Sequence, residues 1–218
     1  MSETELTGYI AIRGFSPYSH AFGGNSWNII DTNLIGTGAH LLLNLDLSDP
    51  KLQTLQGIGS PFLPVCSYIN CDVWVYPQSY VFDPVSRQVE YVDHSATNYF
   101  ELPEDMAFEN PLPQAPMNIR EMTLTELVLN ERDYWAASDE FLGGKSFIRV
   151  LGPPLWIDEP DSVVCECGKS SLYFCSIGYE YSEDYGIFGS QPFFIGEGAL
   201  YFFICKSCRR VTVESQPS

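Results

Sequence analysis

The chain has 218 residues, 45% of them hydrophobic, and carries 28 acidic against 11 basic side chains for a net charge of −17. That length and composition support a substantial core, as one domain or two packed halves, and exclude disorder on a large scale. The charge repels nucleic-acid phosphates and anionic membranes alike, and no run approaches the roughly 18 apolar residues of a membrane span.

At the start, MSETELTGYIAIRG lacks the basic segment and apolar run of a secretory leader. A cytoplasmic protein is therefore expected. The seven cysteines then point to metal binding or burial, because the cytosol keeps thiols reduced. The first half runs from a glycine turn at Gly23-Gly24 to Trp27, then through Leu41-Leu42-Leu43-Asn44-Leu45 and Val73-Trp74-Val75-Tyr76. These runs are short, rich in branched and aromatic residues and bounded by Gly, Pro, Asp or Asn, which is the punctuation of strands.

The stretch Pro103 to Pro116, with four prolines among acidic and small residues, suits neither helix nor central strand and predicts a linker. We divide the chain into a first β-rich half over 1–105, a linker over 106–118 and a second half over 119–218, packed as one compact unit. A helix is expected from Thr123, which forms a capping box with Glu126. Its apolar face is Leu124, Leu127, Val128, Trp135 and Leu142, and Gly143-Gly144 ends it.

The second half repeats the pattern of the first. Gly152-Pro153-Pro154-Leu155-Trp156 is followed by the strands Leu172-Tyr173-Phe174-Cys175-Ser176-Ile177 and Leu200-Tyr201-Phe202-Phe203-Ile204. Such internal similarity predicts two like halves with Trp27 and Trp156 in corresponding buried places. The expected fold class is α+β and β-rich, with mixed or antiparallel sheets from two weakly similar halves.

Cys165-Glu166-Cys167-Gly168 precedes one of these strands and Cys205-Lys206-Ser207-Cys208 follows the other. If the strands are neighbours, Cys165, Cys167, Cys205 and Cys208 converge on one closed, structural Zn²⁺ site with no position left for chemistry. Lys169, Lys206, Arg209 and Arg210 crowd beside them, and positive charge favours thiolates. The C-x-C spacing leaves Cys175 as an alternative to Cys165 or Cys167. Cys66 and Cys71 lack a partner pair and read as small buried hydrophobes. Between the two strands, Tyr179-Glu180-Tyr181-Ser182-Glu183-Asp184-Tyr185 alternates aromatic rings with acids. Tyr179, Glu180, Tyr181, Glu183, Asp184 and Tyr185 form a candidate partner-binding surface, weighed against an acidic loop packed on its own tyrosines.

Val150-Leu151-Gly152-Pro153-Pro154-Leu155-Trp156-Ile157, the Cys165/Cys167-Gly168 knuckle, the strand at Leu172 and Gly198-Ala199-Leu200-Tyr201-Phe202-Phe203-Ile204-Cys205 occur in the order typical of the YwqG-like family of uncharacterised bacterial proteins. The chain resembles that family over about its last 75 residues. The same region also resembles the C-terminal part of the programmed-cell-death-2 family, itself similar to chaperones of basic ribosomal proteins. These resemblances imply a duplicated mixed-sheet fold with a zinc clip and bring no catalytic residues. The first knuckle is shorter than the usual C-x-x-C, and Ser176 stands near where the family strand tends to carry Gln.

No catalytic motif is visible. His20, His40 and His94 are isolated and read as surface or turn residues; Gly14-Phe15-Ser16-Pro17 is not a nucleophile elbow, and Gly196-Glu197-Gly198 is not a nucleotide loop. The acidic pairs Asp158/Glu159 and Glu183/Asp184 read as solvated surface. The favoured function is a non-catalytic acidic protein that binds a basic protein, as an immunity-type inhibitor of a basic toxin. The alternatives are an adaptor or chaperone-like escort of a basic endogenous protein, and an enzyme whose site is assembled from distant residues.

Overall fold

A computed structural model of the chain describes residues 7–31, 38–70, 77–94, 107–128, 147–158, 163–180, 186–188, 192–196 and 198–217. Among them lie the strands β1 (Gly8–Arg13), β2 (Ala21–Phe22), β3 (Asn28–Ile30) and β4 (His40–Asp46), followed by a 3₁₀ segment over Pro50–Leu55. Then come β5 (Phe62–Ser67), β6 (Gln78–Asp83), β7 (Gln88–His94), β8 (Ala115–Glu121) and the helix α1 (Leu124–Val128). The last four strands are β9 (Ile148–Leu151), β10 (Leu172–Ile177), β11 (Gly198–Cys205) and β12 (Arg210–Pro217). The protein is β-rich with a mixed sheet, ordered β3-β7-β6-β12-β11-β10-β9-β1-β8-β2-β4-β5. The β3/β7 pair is parallel and the other neighbours are antiparallel.

The apolar runs singled out in the sequence become fully buried strands. Every residue of β4 and of β11 is buried. On β11 the burial is two-sided: Leu200, Phe202 and Ile204 face the main core. Ala199, Tyr201 and Phe203 pack with Leu155 and Tyr179 in a second, smaller cluster. Burying a side chain of this size contributes about 1.5–3 kcal/mol, so β11 is anchored from both faces. It holds its last residue, Cys205, in a fixed place.

The order of strands interleaves the two halves. β6 pairs with β12, and β1 lies between β8 and β9. The β1/β9 contact explains one glycine of the turn before Trp156, since a Cβ on Gly152, at φ +72°, would lie 2.6 Å from the Gly8 Cα. Only glycine permits both that backbone angle and that approach.

Three expectations need correction. First, the stretch expected to be a linker is built into the core. Phe108, Leu112 and Ala115 are buried, and the Asn70 side chain donates to the Phe108 carbonyl and accepts from its amide, both at 2.7 Å. β8 starts inside this stretch, with Ala115, Met117 and Ile119 buried in strand alternation. Second, the two tryptophans do not occupy like positions. Trp27 is buried in the main core and donates from Nε1 to Asn44 Oδ1 at 2.8 Å. Trp156 is only partly buried and stacks on Phe203 at 6.0 Å in the second cluster. The strand expected at 73–76 lies outside the described residues.

Third, the helix face begins differently. The capping box forms, with Thr123 N donating to Glu126 Oε2 at 2.7 Å and Glu126 N to Thr123 Oγ1 at 3.3 Å. Arg120 grips the same carboxylate at 2.9 and 2.7 Å and holds Glu126 down at about 2. With Glu126 turned toward β8, Leu124 is 80% exposed rather than part of a buried stripe. Trp135, Leu142 and Gly143-Gly144 lie outside the described residues.

Candidate metal centre

Antiparallel pairing of β10 with β11 places the beginning of one strand beside the end of the other, with Leu172 opposite Ile204. The cysteines before β10 and after β11 are thereby brought to the same edge of the structure. In the first knuckle Gly168 N donates to Cys165 O at 2.8 Å and Cys165 N to Lys169 O at 2.9 Å. An isolated bridge between Val164 and Ser170 closes its base. In the second, Cys205 pairs with Arg210 across the β11–β12 hairpin, and Arg209 N donates to Cys205 O at 2.8 Å. Each knuckle carries a left-handed residue immediately after its second cysteine: Gly168 at φ 78° and Arg209 at φ 57°. That conformation turns the chain back on itself so that amides face the sulfurs. It suits glycine, and for Arg209 it is a strain of order 1 kcal/mol.

The four Sγ atoms lie within 4.8 Å of one another. Cys165 Sγ is 3.4 Å from Cys208 Sγ, Cys167 Sγ is 3.5 Å from Cys205 Sγ, and Cys208 Sγ is 3.9 Å from Cys167 Sγ. A tetrahedral ion with bonds of about 2.3 Å to sulfur sets its ligands about 3.8 Å apart, whereas a disulfide needs about 2.05 Å. The cluster therefore has the dimensions of a metal site in its reduced form. Cys165 and Cys205 are buried, at 4% and 1% exposure, while Cys167 and Cys208 are exposed. Among the described residues this is the one group of three or more Cys, His, Asp or Glu side chains able to share a metal ion.

The electrostatics fit a cation. Burial raises the Cys205 thiol, but the amides of Cys208 and Ser207 and the neighbouring thiols outweigh it and bring it down to about 7. At Cys208, burial and the thiols of Cys165, Cys205 and Cys167 prevail over the Arg210 amide and push it up to about 12. At Cys167 the Lys169 amide lowers the thiol, and the combined action of Cys205, burial and Cys165 raises it more. One thiolate forms readily and resists the next, which is the repulsion that a divalent cation removes.

Of the cations beside the knuckles, Arg210 pairs with Glu166 at 2.7 Å and Lys206 Nζ donates to the Thr54 carbonyl, tying the hairpin to the 3₁₀ segment. Cys175, the alternative ligand, is in the main core, where burial raises its thiol, and it stands outside the cluster. Cys66 is buried likewise, and Cys71 lies outside the described residues.

The tyrosine-acid segment departs from expectation where it is described. Tyr179 and Glu180 are 3% and 2% exposed, so neither offers contact area to a partner. Both carboxylate oxygens of Glu180 accept from Ile187 N at 3.0 Å, and Oε2 also accepts from Phe193 N at 2.9 Å. Glu180 is thus an internal staple, with its carboxyl raised by burial. Tyr181, Glu183, Asp184 and Tyr185 lie outside the described residues.

The histidines expected at the surface are corrected as well, because His20 and His40 are buried. His20 Nδ1 accepts from Asp46 N at 3.0 Å and Nε2 lies 3.1 Å from Asp49 Oδ2, so both ring nitrogens are committed to the fold. Sequence reasoning missed this pair because its partners lie more than twenty residues away. Among the described residues no helix is long and apolar enough to cross a membrane. Comparison with family models, with curated proteins and with solved structures gives no match for this chain.

Proposed function

We propose that Cys165, Cys167, Cys205 and Cys208 hold one structural zinc and that the clipped sheet serves as a non-catalytic, acidic, cytoplasmic scaffold for a basic protein. An all-sulfur tetrahedral donor set suits zinc, and four protein ligands leave the ion no open position. The binding reading rests on how charge is disposed. Against a net −17, several cations are engaged within the chain: Arg120 by Glu126, Arg210 by Glu166, Arg149 by the Glu126 and Pro153 carbonyls and Arg13 by the Gly186 carbonyl. The acidic excess is left for a partner, and a basic toxin met by an immunity-type inhibitor fits that demand best.

The test is capture from the native cell followed by association kinetics between the purified chain and the captured protein across salt. Exposed charges act over a Debye length of about 8 Å near physiological ionic strength and about 3 Å at 1 M. The association rate is expected to fall by an order of magnitude or more over that range. A rate unchanged by salt would reduce the acidity to a solubility device. Rescue of cells expressing the captured protein marks an inhibitor; a ribosomal or other housekeeping partner marks an escort instead.

A further inference from the structure

We infer that the cysteine clip is a peroxide-sensitive modification site that opens by forming two disulfides between the knuckles, Cys165–Cys208 and Cys167–Cys205, with release of the metal. This rests on the zinc reading above and extends it. The thiol pairs at 3.4 and 3.5 Å both run from one knuckle to the other. Each joins one exposed sulfur, Cys208 or Cys167, to one buried sulfur, Cys165 or Cys205. Access and proximity are therefore divided between the partners: the exposed sulfur meets the oxidant and the buried one lies against it. A bridge within Cys165-Glu166-Cys167 would instead close a small, strained ring.

The chemistry balances within each pair. The exposed thiolate attacks one oxygen of hydrogen peroxide, the O–O bond breaks, and a sulfenic acid forms as hydroxide leaves and takes a proton to become water. The buried thiolate then attacks that sulfur, the S–S bond forms, and the sulfenic hydroxyl leaves and is protonated to a second water. Two thiolates supply two electrons to one peroxide. When both pairs have reacted no thiolate remains to hold the cation, and it is released. The second cluster under Tyr201 and Phe203 then carries the junction without its metal, so oxidation weakens the scaffold at the hairpin that also ends the buried strand β11.

The experiment uses the full chain with its zinc measured beforehand. Peroxide is titrated in, released zinc is read with a chromophoric chelator, and the product is digested without reduction. Cleavage after Glu166, Lys169, Glu197 and Lys206 places the four cysteines, and Cys175, on separate peptides. The expected result is release of one zinc for about two peroxides, peptides linked Cys165–Cys208 and Cys167–Cys205, unmodified Cys66 and Cys175, and recovery with dithiothreitol and zinc. Zinc retained under excess peroxide, linkage within either knuckle, or sulfinic acid in place of disulfides would overturn this inference and leave the metal reading standing. A chain isolated without metal would overturn the metal reading and this inference with it.

Discussion

Replacing Cys205 with Ser is expected to abolish tight metal binding and to lower folding stability by several kcal/mol, with Cys208→Ser close behind. The two knuckles lie 38 or more residues apart in sequence, and their loops have little apolar surface of their own. Cys167 and Cys208 are exposed, as are Glu166, Lys206 and Ser207. Besides the Arg210–Glu166 pair, a shared ion is what the proposed function puts between them, and binding energy at a structural zinc is folding energy, about 10–16 kcal/mol in small zinc peptides. Part of that is recovered here because β11 is held by both clusters. Cys66→Ser is the control. It buries a hydroxyl in the main core and costs about 1–3 kcal/mol without touching the metal. Chemical unfolding of the three variants checks this, and equal losses would remove the distinction between a ligand and a core thiol.

Acid is expected to weaken the fold through His40. Burial lowers this imidazole from 6.5 to about 4, against the opposing pull of the Phe108, Gly38 and Glu109 backbone. Between those two values the unfolded chain takes up a proton that the folded chain refuses. The stability is therefore fully present above 6.5 and is lost as pH falls to about 4. A difference of about 2.5 units corresponds to about 3 kcal/mol. His20 adds to the loss in the same direction, since its imidazole is also lowered by burial and its Nδ1 must stay unprotonated to accept the Asp46 amide. Unfolding of His40→Gln beside the parent chain across this range isolates the effect, because acid removes thiolate-bound metal from both. The variant's profile is expected to be flatter by about 3 kcal/mol. Parallel profiles would show that His40 titrates normally.

The four-cysteine cluster was the most legible part of this protein. Paired cysteines at short spacing, each pair next to an apolar strand run, specify a local turn and a strand end, and the residues that make the site are the residues that make the motif. The runs at Leu41 and Leu200 were legible for the same reason, since two-sided burial leaves no polar alternation to obscure them. What escaped notice depends on partners distant in the chain. β1 enters between β8 and β9, more than a hundred residues downstream, so the proline-rich stretch leading to β8 became a spacer in the sequence and a core segment in the fold. Glu180 looked like a surface acid because nothing nearby reveals that the Ile187 and Phe193 amides will enclose it. His20 was misplaced similarly, its fate set by Asp46 and Asp49.

The most direct test is elemental analysis of the chain purified without chelators, set beside the same measurement on Cys205→Ser and Cys208→Ser. Close to one zinc per chain is expected in the parent, little or none in either variant, and no change in Cys66→Ser or Cys175→Ser. A parent chain free of metal, one carrying iron in place of zinc, or one whose zinc survives loss of Cys205 or Cys208 would contradict it.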